Sequence, residues 1–267
     1  MTFFGELDER VAKANSLLCV GLDPDIAKIP AGLTLAGFNK AIITTTGEYA
    51  CAYKLNFAFY EAAGMAGWEA LRETLKYIPR DIPVIADAKR ADIGNTSKAY
   101  AKAIFDELGF SAATVNPYLG YDALEPFLEY RNKGIFILCR TSNPGAADFQ
   151  DLPVKTDGHI APLYSIVAEK AAQWNVRGNV GLVVGATAID DLRFLRRQHA
   201  ELPFLVPGVG AQGGDLELAV LYGHNLQRSG LIVNAARQVI FASTGPDFAT
   251  AAGEAARKLR DEINKFR

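Results

Sequence analysis

The segment Asp87-Ala88-Lys89-Arg90-Ala91-Asp92 alternates carboxylates with cationic side chains. If the segment is a strand, Asp87 and Lys89 point the same way because they are two residues apart. A carboxylate beside an ammonium group keeps that group protonated and oriented. Such an ammonium group can stabilise a developing negative charge and then donate a proton. For this segment taken alone, a structural ion pair with Asp92 as a helix N-cap is the favoured explanation, because such short motifs often occur without a catalytic role.

The position of Lys54 favours a catalytic role for this charged segment over a purely structural one. It lies in the apolar run 53–57, where a lysine is costly unless it is paired or near the end of the strand. If the adjacent strand carries Asp87 and Lys89, Lys54 can pair with Asp87 in space. We therefore predict an alternating array of four catalytic side chains: Lys54, Asp87, Lys89 and Asp92.

Two later features indicate a phosphate site. The segment 207–214 is Pro-Gly-Val-Gly-Ala-Gln-Gly-Gly, and its glycines let backbone N–H groups approach an oxyanion closely. Arg237 follows the next apolar run, and an arginine can hold a phosphate through two parallel hydrogen bonds. In α/β barrels the loops after the seventh and eighth strands recurrently bind phosphate. A flexible loop and an unrelated surface arginine are the alternative.

Asp23 and Ser142 are polar residues at the ends of two other apolar runs. The Asp23 carboxylate can accept hydrogen bonds from sugar hydroxyls, and the hydroxyl and backbone of Ser142 can bind an amide-bearing ring. Both residues also fit ordinary turns, because Asp23 precedes a proline and Ser142 precedes Asn-Pro-Gly. The residues alone leave both interpretations open.

Eight short apolar runs must position these side chains. Several are continuous Val, Ile, Leu and Ala segments, which is typical of parallel strands buried on both faces. The segments between them have helical spacing, as in the stripe Tyr100, Ile104 and Leu108. The sequence therefore predicts an α/β fold, a single (β/α)8 TIM barrel over residues 1–267. The runs are 17–21, 52–57, 83–88, 113–116, 135–139, 180–185, 204–209 and 231–234, and a second helical stripe is Phe248, Ala252, Ala255, Leu259 and Ile263.

Composition excludes several classes of protein and partner. An open doubly wound sheet is the alternative fold, but no GxGxxG follows the first run. The net charge of −2 without a basic block argues against nucleic acid or membrane surfaces as partners. Three scattered cysteines argue against a disulfide framework or a cysteine zinc site. We expect a cytoplasmic protein, because the first residues carry no secretion signal and no apolar run is long enough to span a membrane.

The sequence resembles the orotidine 5′-phosphate decarboxylase family in the order of four features: Lys54, the charged segment 87–92, the glycine segment 207–214 and Arg237. The resemblance extends from Asp23 to Arg237, and its most specific parts are 87–96 and 207–214. The segments 114–120 and 141–145 are similar to the longer bacterial branch of that family. The two alanines before Arg237 depart from its pattern, in which small polar residues or glycine are more common.

The resemblance implies a homodimer with active sites at the subunit interface. The residues that match Asp92 and Thr96 would reach into the partner's site. Lys54 and Asp23 would lie near the ribose hydroxyls, and Ser142 at the pyrimidine. The substrate-binding residues predicted in this way are Asp23, Thr96, Ser142, Pro207, Gln212 and Arg237.

The implied activity is decarboxylation of orotidine 5′-monophosphate to uridine 5′-monophosphate and CO₂, without a metal or an organic cofactor. It is the last step of de novo pyrimidine nucleotide synthesis. Lys89 would stabilise the C6 carbanion and protonate it, while Asp87 would lie near the departing carboxylate. Gln212 and Arg237 would hold the phosphate.

Two other functions compete with this one. A Mg²⁺-dependent sugar-phosphate decarboxylase or aldolase on a related barrel has the same charged motif, but a carboxylate on its second strand would join Asp87 at the metal. Here that strand supplies Lys54, which disfavours a metal. A non-catalytic nucleotide-binding module would need Arg237 but not an alternating charge array. Two long segments, 143–160 and 210–230, follow the fifth and seventh runs, and the sequence leaves open whether the first is a lid or a surface loop.

Overall fold

A closed barrel of parallel strands forms the centre of the molecule. The computed structural model describes residues 2–156, 158–209 and 214–267. The strands there are β1 (Leu18–Gly21), β2 (Ala52–Asn56), β3 (Val84–Arg90), β4 (Ala112–Val115), β5 (Gly134–Arg140), β6 (Pro153–Thr156), β7 (His159–Pro162), β8 (Val180–Val184), β9 (Phe204–Pro207) and β10 (Leu231–Ala235). Eight of them close in the order β1-β10-β9-β8-β5-β4-β3-β2, with every pair parallel. The predicted fold class and all eight predicted strands are confirmed.

Helices cover the outside of the barrel, which explains why strands such as β1, β4 and β8 are buried along their whole length. The α-helices of the described residues are α1 (Phe3–Ala14), α2 (Leu35–Thr46), α3 (Phe57–Glu61), α4 (Gly64–Tyr77), α5 (Gly94–Lys102), α6 (Tyr121–Leu128), α7 (Leu163–Trp174), α8 (Ile189–Gln198), α9 (Leu216–Gly223), α10 (Arg237–Ile240) and α11 (Phe248–Lys265).

Three details differ from the sequence prediction. The segment 143–160 contributes to an antiparallel hairpin of β6 and β7, outside the barrel. The predicted stripe through Tyr100 lies on α5 and a π-helical turn, Ala103–Glu107, in which Ile104 is buried. Tyr100 is exposed at the surface, where its ring lies 5.5 Å from the guanidinium carbon of Arg90. On α11 the buried stripe contains Ala256 in place of the predicted Ala255, while the other predicted members are buried.

Both ends of the sequence lie at the end of the barrel where the strands begin. Phe3 on α1 packs edge to face against Phe136 of β5, with ring centroids 5.9 Å apart. At the other end of α1, the carbonyl of Asn15 accepts a hydrogen bond of 2.8 Å from Asn264 Nδ2 on α11. These terminal segments therefore do not cover the opposite end of the barrel, where the strands end and the candidate active site lies.

The three cysteines, Cys19, Cys51 and Cys139, are buried, and none of them forms a disulfide. Burial raises the pKa of the Cys51 thiol to about 12, so it remains a thiol at neutral pH. Among the described residues, no helix is both long and apolar enough to cross a membrane.

Candidate active site

A cavity of about 560 Å³ opens at the carboxyl ends of the barrel strands. This volume is within the usual range for small-molecule sites. Its lining combines an apolar floor, to which Leu138, Val183 and Leu205 belong, with charged groups from β2, β3 and the segment after β10. The predicted site residues that line it are Asp23, Lys54, Asp87, Lys89, Ser142, Pro207 and Arg237.

Lys54 is the most deeply buried charge of the site. Its side chain is only 4% exposed, and its Nζ donates a hydrogen bond of 2.9 Å to Asp87 Oδ2. The same Nζ lies 3.6 Å from Asp23 Oδ1. Burial alone would lower the pKa of Lys54, but the two carboxylates more than offset burial and raise it above its usual value. The predicted pairing of Lys54 with Asp87 is confirmed.

Asp87 accepts hydrogen bonds from three side chains. Oδ2 binds Lys54, while Oδ1 lies 2.5 Å from Lys89 Nζ and 2.9 Å from the hydroxyl of Thr114. Burial alone would raise the pKa of this carboxyl, but the two ammonium groups lower it well below its usual range. Asp87 is therefore a fixed negative charge across the neutral pH range.

Lys89 lies at an irregularity in β3. The pairing of β3 with β4 shifts register between Ala86 and Arg90, and Lys89 lies inside this shift with a φ of +49°. Left-handed backbone is unfavourable for a side-chain-bearing residue, and such strain clusters at functional sites. Lys89 lines the cavity next to Asp87, with 47% of its side chain exposed.

Thr114 is a site residue that the sequence analysis missed. Its hydroxyl donates to Asp87 Oδ1 at 2.9 Å and accepts from the backbone N–H of Lys89 at 3.0 Å. Thr114 thus joins the carboxylate to the backbone of the strained lysine from the neighbouring strand β4. Only the resemblance of segment 114–120 pointed to this region, because a threonine inside a strand has no distinctive spacing.

Arg237 and Lys28 place two cations at another part of the rim. Arg237 is exposed at the start of α10, and its guanidinium has no ion pair or side-chain hydrogen bond within the described part of the chain. Lys28 was not predicted; its Nζ lies 3.6 Å from Asp25 Oδ2 and 5.7 Å from the ring centroid of Phe241. Since Phe241 directly follows α10, both cations belong to one end of the cavity. Gln212, predicted beside them, lies outside the described residues.

Asp23 and Ser142 each take part in a hydrogen bond that involves the backbone. Asp23 Oδ1 accepts a hydrogen bond of 3.3 Å from the backbone N–H of Asn56, so the ends of β1 and β2 are tied together at the rim. The carbonyl of Ser142 accepts a hydrogen bond of 3.2 Å from the hydroxyl of Thr187. Both lie where the sequence predicted, at strand ends facing the cavity.

Asp92 and Thr96 do not belong to the cavity of their own chain. Asp92 Oδ1 accepts a hydrogen bond of 2.7 Å from the backbone N–H of Ile93, and Thr96 is exposed on α5. The alternative of Asp92 as the N-cap of α5 is wrong, because Ile93 occupies that position. An array of four charges within one chain is also wrong, since the structure joins Lys54, Asp87 and Lys89 and leaves Asp92 outside.

The donor groups of the site do not form a metal-binding set. Within residues 2–156, 158–209 and 214–267, no group of three or more His, Cys, Asp and Glu side chains is arranged to hold a metal ion. Where a metal site on this barrel would need a carboxylate from β2, the ammonium group of Lys54 lies 2.9 Å from Asp87 Oδ2.

Comparison with known proteins decides the family. The family model described as orotidine 5′-phosphate decarboxylase / HUMPS matches residues 16–252. The chain belongs to this family. A relative named orotidine 5′-phosphate decarboxylase from Dehalococcoides mccartyi is 54% identical over 100% of this chain and 99% of its own length. Another of the same name, from Thermomicrobium roseum, is 50% identical over 100% of this chain and 96% of its own length.

Solved structures place the family on the same barrel. The OMP decarboxylase of Leishmania donovani has a TM-score of 0.87 and 43% identity, and the match covers 100% of this chain and 99% of that one. The UMP synthase of the same organism has a TM-score of 0.88 and 44% identity. This chain spans 56% of that protein, a little over half its length. The predicted resemblance and fold class are both confirmed.

Proposed function

We propose that this protein converts orotidine 5′-monophosphate into uridine 5′-monophosphate and CO₂, the last step of de novo pyrimidine nucleotide synthesis. The observation that carries the proposal is the ion-paired Lys54–Asp87–Lys89 array lining a nucleotide-sized cavity, in a chain of this family. The enzyme is then a carboxy-lyase. Its reaction uses no metal and no organic cofactor in this proposal, because the charges come from the chain itself.

Lys89 is the catalytic acid in this mechanism. Loss of CO₂ leaves an electron pair on C6 that the pyrimidine ring delocalises poorly, so a nearby positive charge favours the transition state over the ground state. The Lys89 ammonium supplies that charge and then donates its proton to C6. Its contact of 2.5 Å with Asp87 orients the ammonium group within the cavity.

Asp87 and Lys54 prepare the site for this step. Asp87 faces the departing carboxylate of the substrate, which disfavours the bound ground state. Lys54 holds Asp87 ionised and, with Asp23, faces the ribose hydroxyls. Other residues bind the two ends of the substrate. Ser142 binds the pyrimidine, and the phosphate is bound by Pro207, Gln212 and Arg237. Binding energy from the phosphate is then available to favour the transition state at the reacting ring.

The loss of ultraviolet absorbance of orotidine 5′-monophosphate tests the activity directly. We expect the wild type to turn the substrate over and Lys89→Ala to lose at least about a thousandfold in kcat, because both charge stabilisation and proton donation are removed. Lys102→Ala is a matched control, since Lys102 lies on the outer surface and pairs with Glu107. A Lys89→Ala protein with near-normal turnover contradicts the proposed mechanism, and an inactive wild type contradicts the proposed function.

The Mg²⁺-dependent sugar-phosphate alternative is disfavoured by Lys54, whose ammonium group contacts Asp87 where a metal ion would need a carboxylate. We expect EDTA, which removes Mg²⁺, to leave the turnover of orotidine 5′-monophosphate unchanged.

We also propose that residues 1–267 act as one domain.

We infer a homodimer with shared sites. Asp92 and Thr96 lie outside the cavity of their own chain, and large apolar side chains are exposed on the segments after β3 and β4. Exposed apolar surface of this kind can be covered in a protein interface. These side chains are Ile93, Tyr118 and Leu119. In the proposed dimer, Asp92 and Thr96 complete the partner's site.

Mixed dimers test this arrangement. Asp92→Asn and Lys89→Ala chains with different affinity tags are co-expressed, and dimers that carry both tags are purified. If Asp92 serves the partner, one of the two sites in each mixed dimer is intact, so we expect about half of the wild-type activity. Inactive mixed dimers would show that Asp92 serves its own chain, and full activity of Asp92→Asn alone would remove it from the site.

A further inference from the structure

Arg140 is a nearly buried arginine that the mechanism above does not use. It is the last residue of β5, whose pairing with β8 shifts register between Leu138 and Arg140. In a regular strand both side chains would face the cavity, because they are two residues apart. Leu138 does line the cavity, but Arg140 contacts Tyr164 of α7 and Asp191 of α8 instead. The bulge therefore redirects Arg140 away from the substrate and towards the helices.

Arg140 is the centre of a polar network behind the cavity wall. Its Nε donates to Asp191 Oδ2 at 2.7 Å, and the hydroxyl of Tyr164 donates to the other oxygen of Asp191 at 2.9 Å. Nη1 forms an ion pair of 2.9 Å with Asp151 Oδ1, and Nη2 donates to Asp151 Oδ2 at 3.3 Å. The side chains of Arg140 and Asp191 are 14% and 25% exposed, so water screens their attraction only partly.

This network holds the segment that carries Ser142. Gln150, next to the ion-paired aspartate, accepts from the backbone N–H of Thr141 at 2.9 Å and donates to the hydroxyl of Thr141 at 2.8 Å. On the other side, a Cβ atom on Gly185 would lie 2.8 Å from the backbone nitrogen of Ser142, so only glycine allows this approach. Ser142 is therefore fixed between Gly185 and a loop whose far end is anchored by Arg140.

We propose that Arg140 is a positioning residue for recognition of the pyrimidine base. It does not line the cavity, but its ion pairs keep the segment 141–151 where Ser142 faces the substrate. The inference rests on the proposed function, which puts the base at Ser142. Arg237, at the phosphate, follows β10, and the strands β8 and β9 separate β10 from β5. Loss of Arg140 should therefore affect one end of the substrate and not the other.

Calorimetric titrations with uridine 5′-monophosphate and ribose 5-phosphate test the proposal. We expect Arg140→Gln to bind uridine 5′-monophosphate about tenfold more weakly and ribose 5-phosphate as tightly as the wild type, because only the first ligand carries the base. Equal losses for both ligands, or no loss for uridine 5′-monophosphate, would overturn the proposal. These titrations need no turnover, so their failure is distinct from failure of the decarboxylase assay.

Arg10→Gln is the matched control. Arg10 is also nearly buried; its Nε donates to the carbonyl of Ala50 at 3.0 Å and its Nη1 pairs with Asp81 at 3.1 Å, at the opposite end of the barrel. We expect it to lower Tm and leave both affinities unchanged. If Arg140→Gln does not fold, Asp191→Asn takes its place, because it removes the charge at constant size. We expect Asp191→Asn, like Arg140→Gln, to weaken binding of uridine 5′-monophosphate and to leave binding of ribose 5-phosphate unchanged. An unchanged affinity for uridine 5′-monophosphate overturns the proposal.

Discussion

At the scale of single residues, the chemistry depends on how completely Asp87 is satisfied. Two ammonium groups and one hydroxyl donate to its two oxygens, so the carboxylate can neither rotate nor take up a proton easily. Lys54 and Lys89 were predicted because charged residues in apolar strands are conspicuous in a sequence. Thr114 was not, because its hydroxyl is identified only by the distance to a neighbouring strand.

Removal of the Thr114 hydroxyl should reduce catalysis more than substrate binding. In Thr114→Val, Asp87 loses one donor and the backbone N–H of Lys89 loses its acceptor, so we expect kcat to fall about tenfold with little change in KM. Steady-state kinetics on orotidine 5′-monophosphate measure both. Thr114→Ser keeps the hydroxyl and is the control, and a loss in Thr114→Ser as large as in Thr114→Val would argue that the methyl group matters instead.

At the scale of elements, the two bulges in β3 and β5 shape the surroundings of the site more than the regular strands do. The one in β3 contains Lys89 with its left-handed backbone, and the one in β5 turns Arg140 away from the cavity. The apolar runs predicted all eight barrel strands, but a bulge depends on pairing with a neighbour that no local pattern reveals. The hairpin of β6 and β7 was missed for a related reason, since its strands are short and each carries a proline.

The strained backbone of β3 can be measured with two inactive variants. Glycine tolerates a φ of +49° and alanine does not, so we expect Lys89→Gly to be more stable than Lys89→Ala by about 1 kcal/mol. Urea unfolding of the two proteins gives this difference. Equal stabilities, or a more stable alanine variant, would mean that the strand relaxes once the lysine is removed.

At the scale of the whole molecule, the charged cluster links stability to pH. Asp87 has a lowered pKa, so its stabilising effect is present above its unfolded pKa of about 3.9 and is lost as the pH falls further. Lys54 has a raised pKa, so its effect is present below its unfolded pKa of about 10.4 and is lost as the pH rises further. Between these limits the pair is fully charged in both the folded and the unfolded chain.

Lys54→Met should therefore lower the free energy of unfolding by an amount that varies with pH. We expect a loss of about 3 kcal/mol at neutral pH, because a buried carboxylate loses one of its partners. The gap to the wild type should stay constant from about pH 5 to 9 and shrink below about pH 4. Urea unfolding across this range measures the gap, and a gap that persists unchanged at pH 3 would contradict the assignment.

The hydrogen bond between Asn264 and Asn15 ties both ends of the sequence to the end of the barrel opposite the cavity. A second catalytic module could therefore be fused at either end without blocking the entry of substrate. In engineering terms, the attachment points lie on one face of the barrel and the cavity opens on the other.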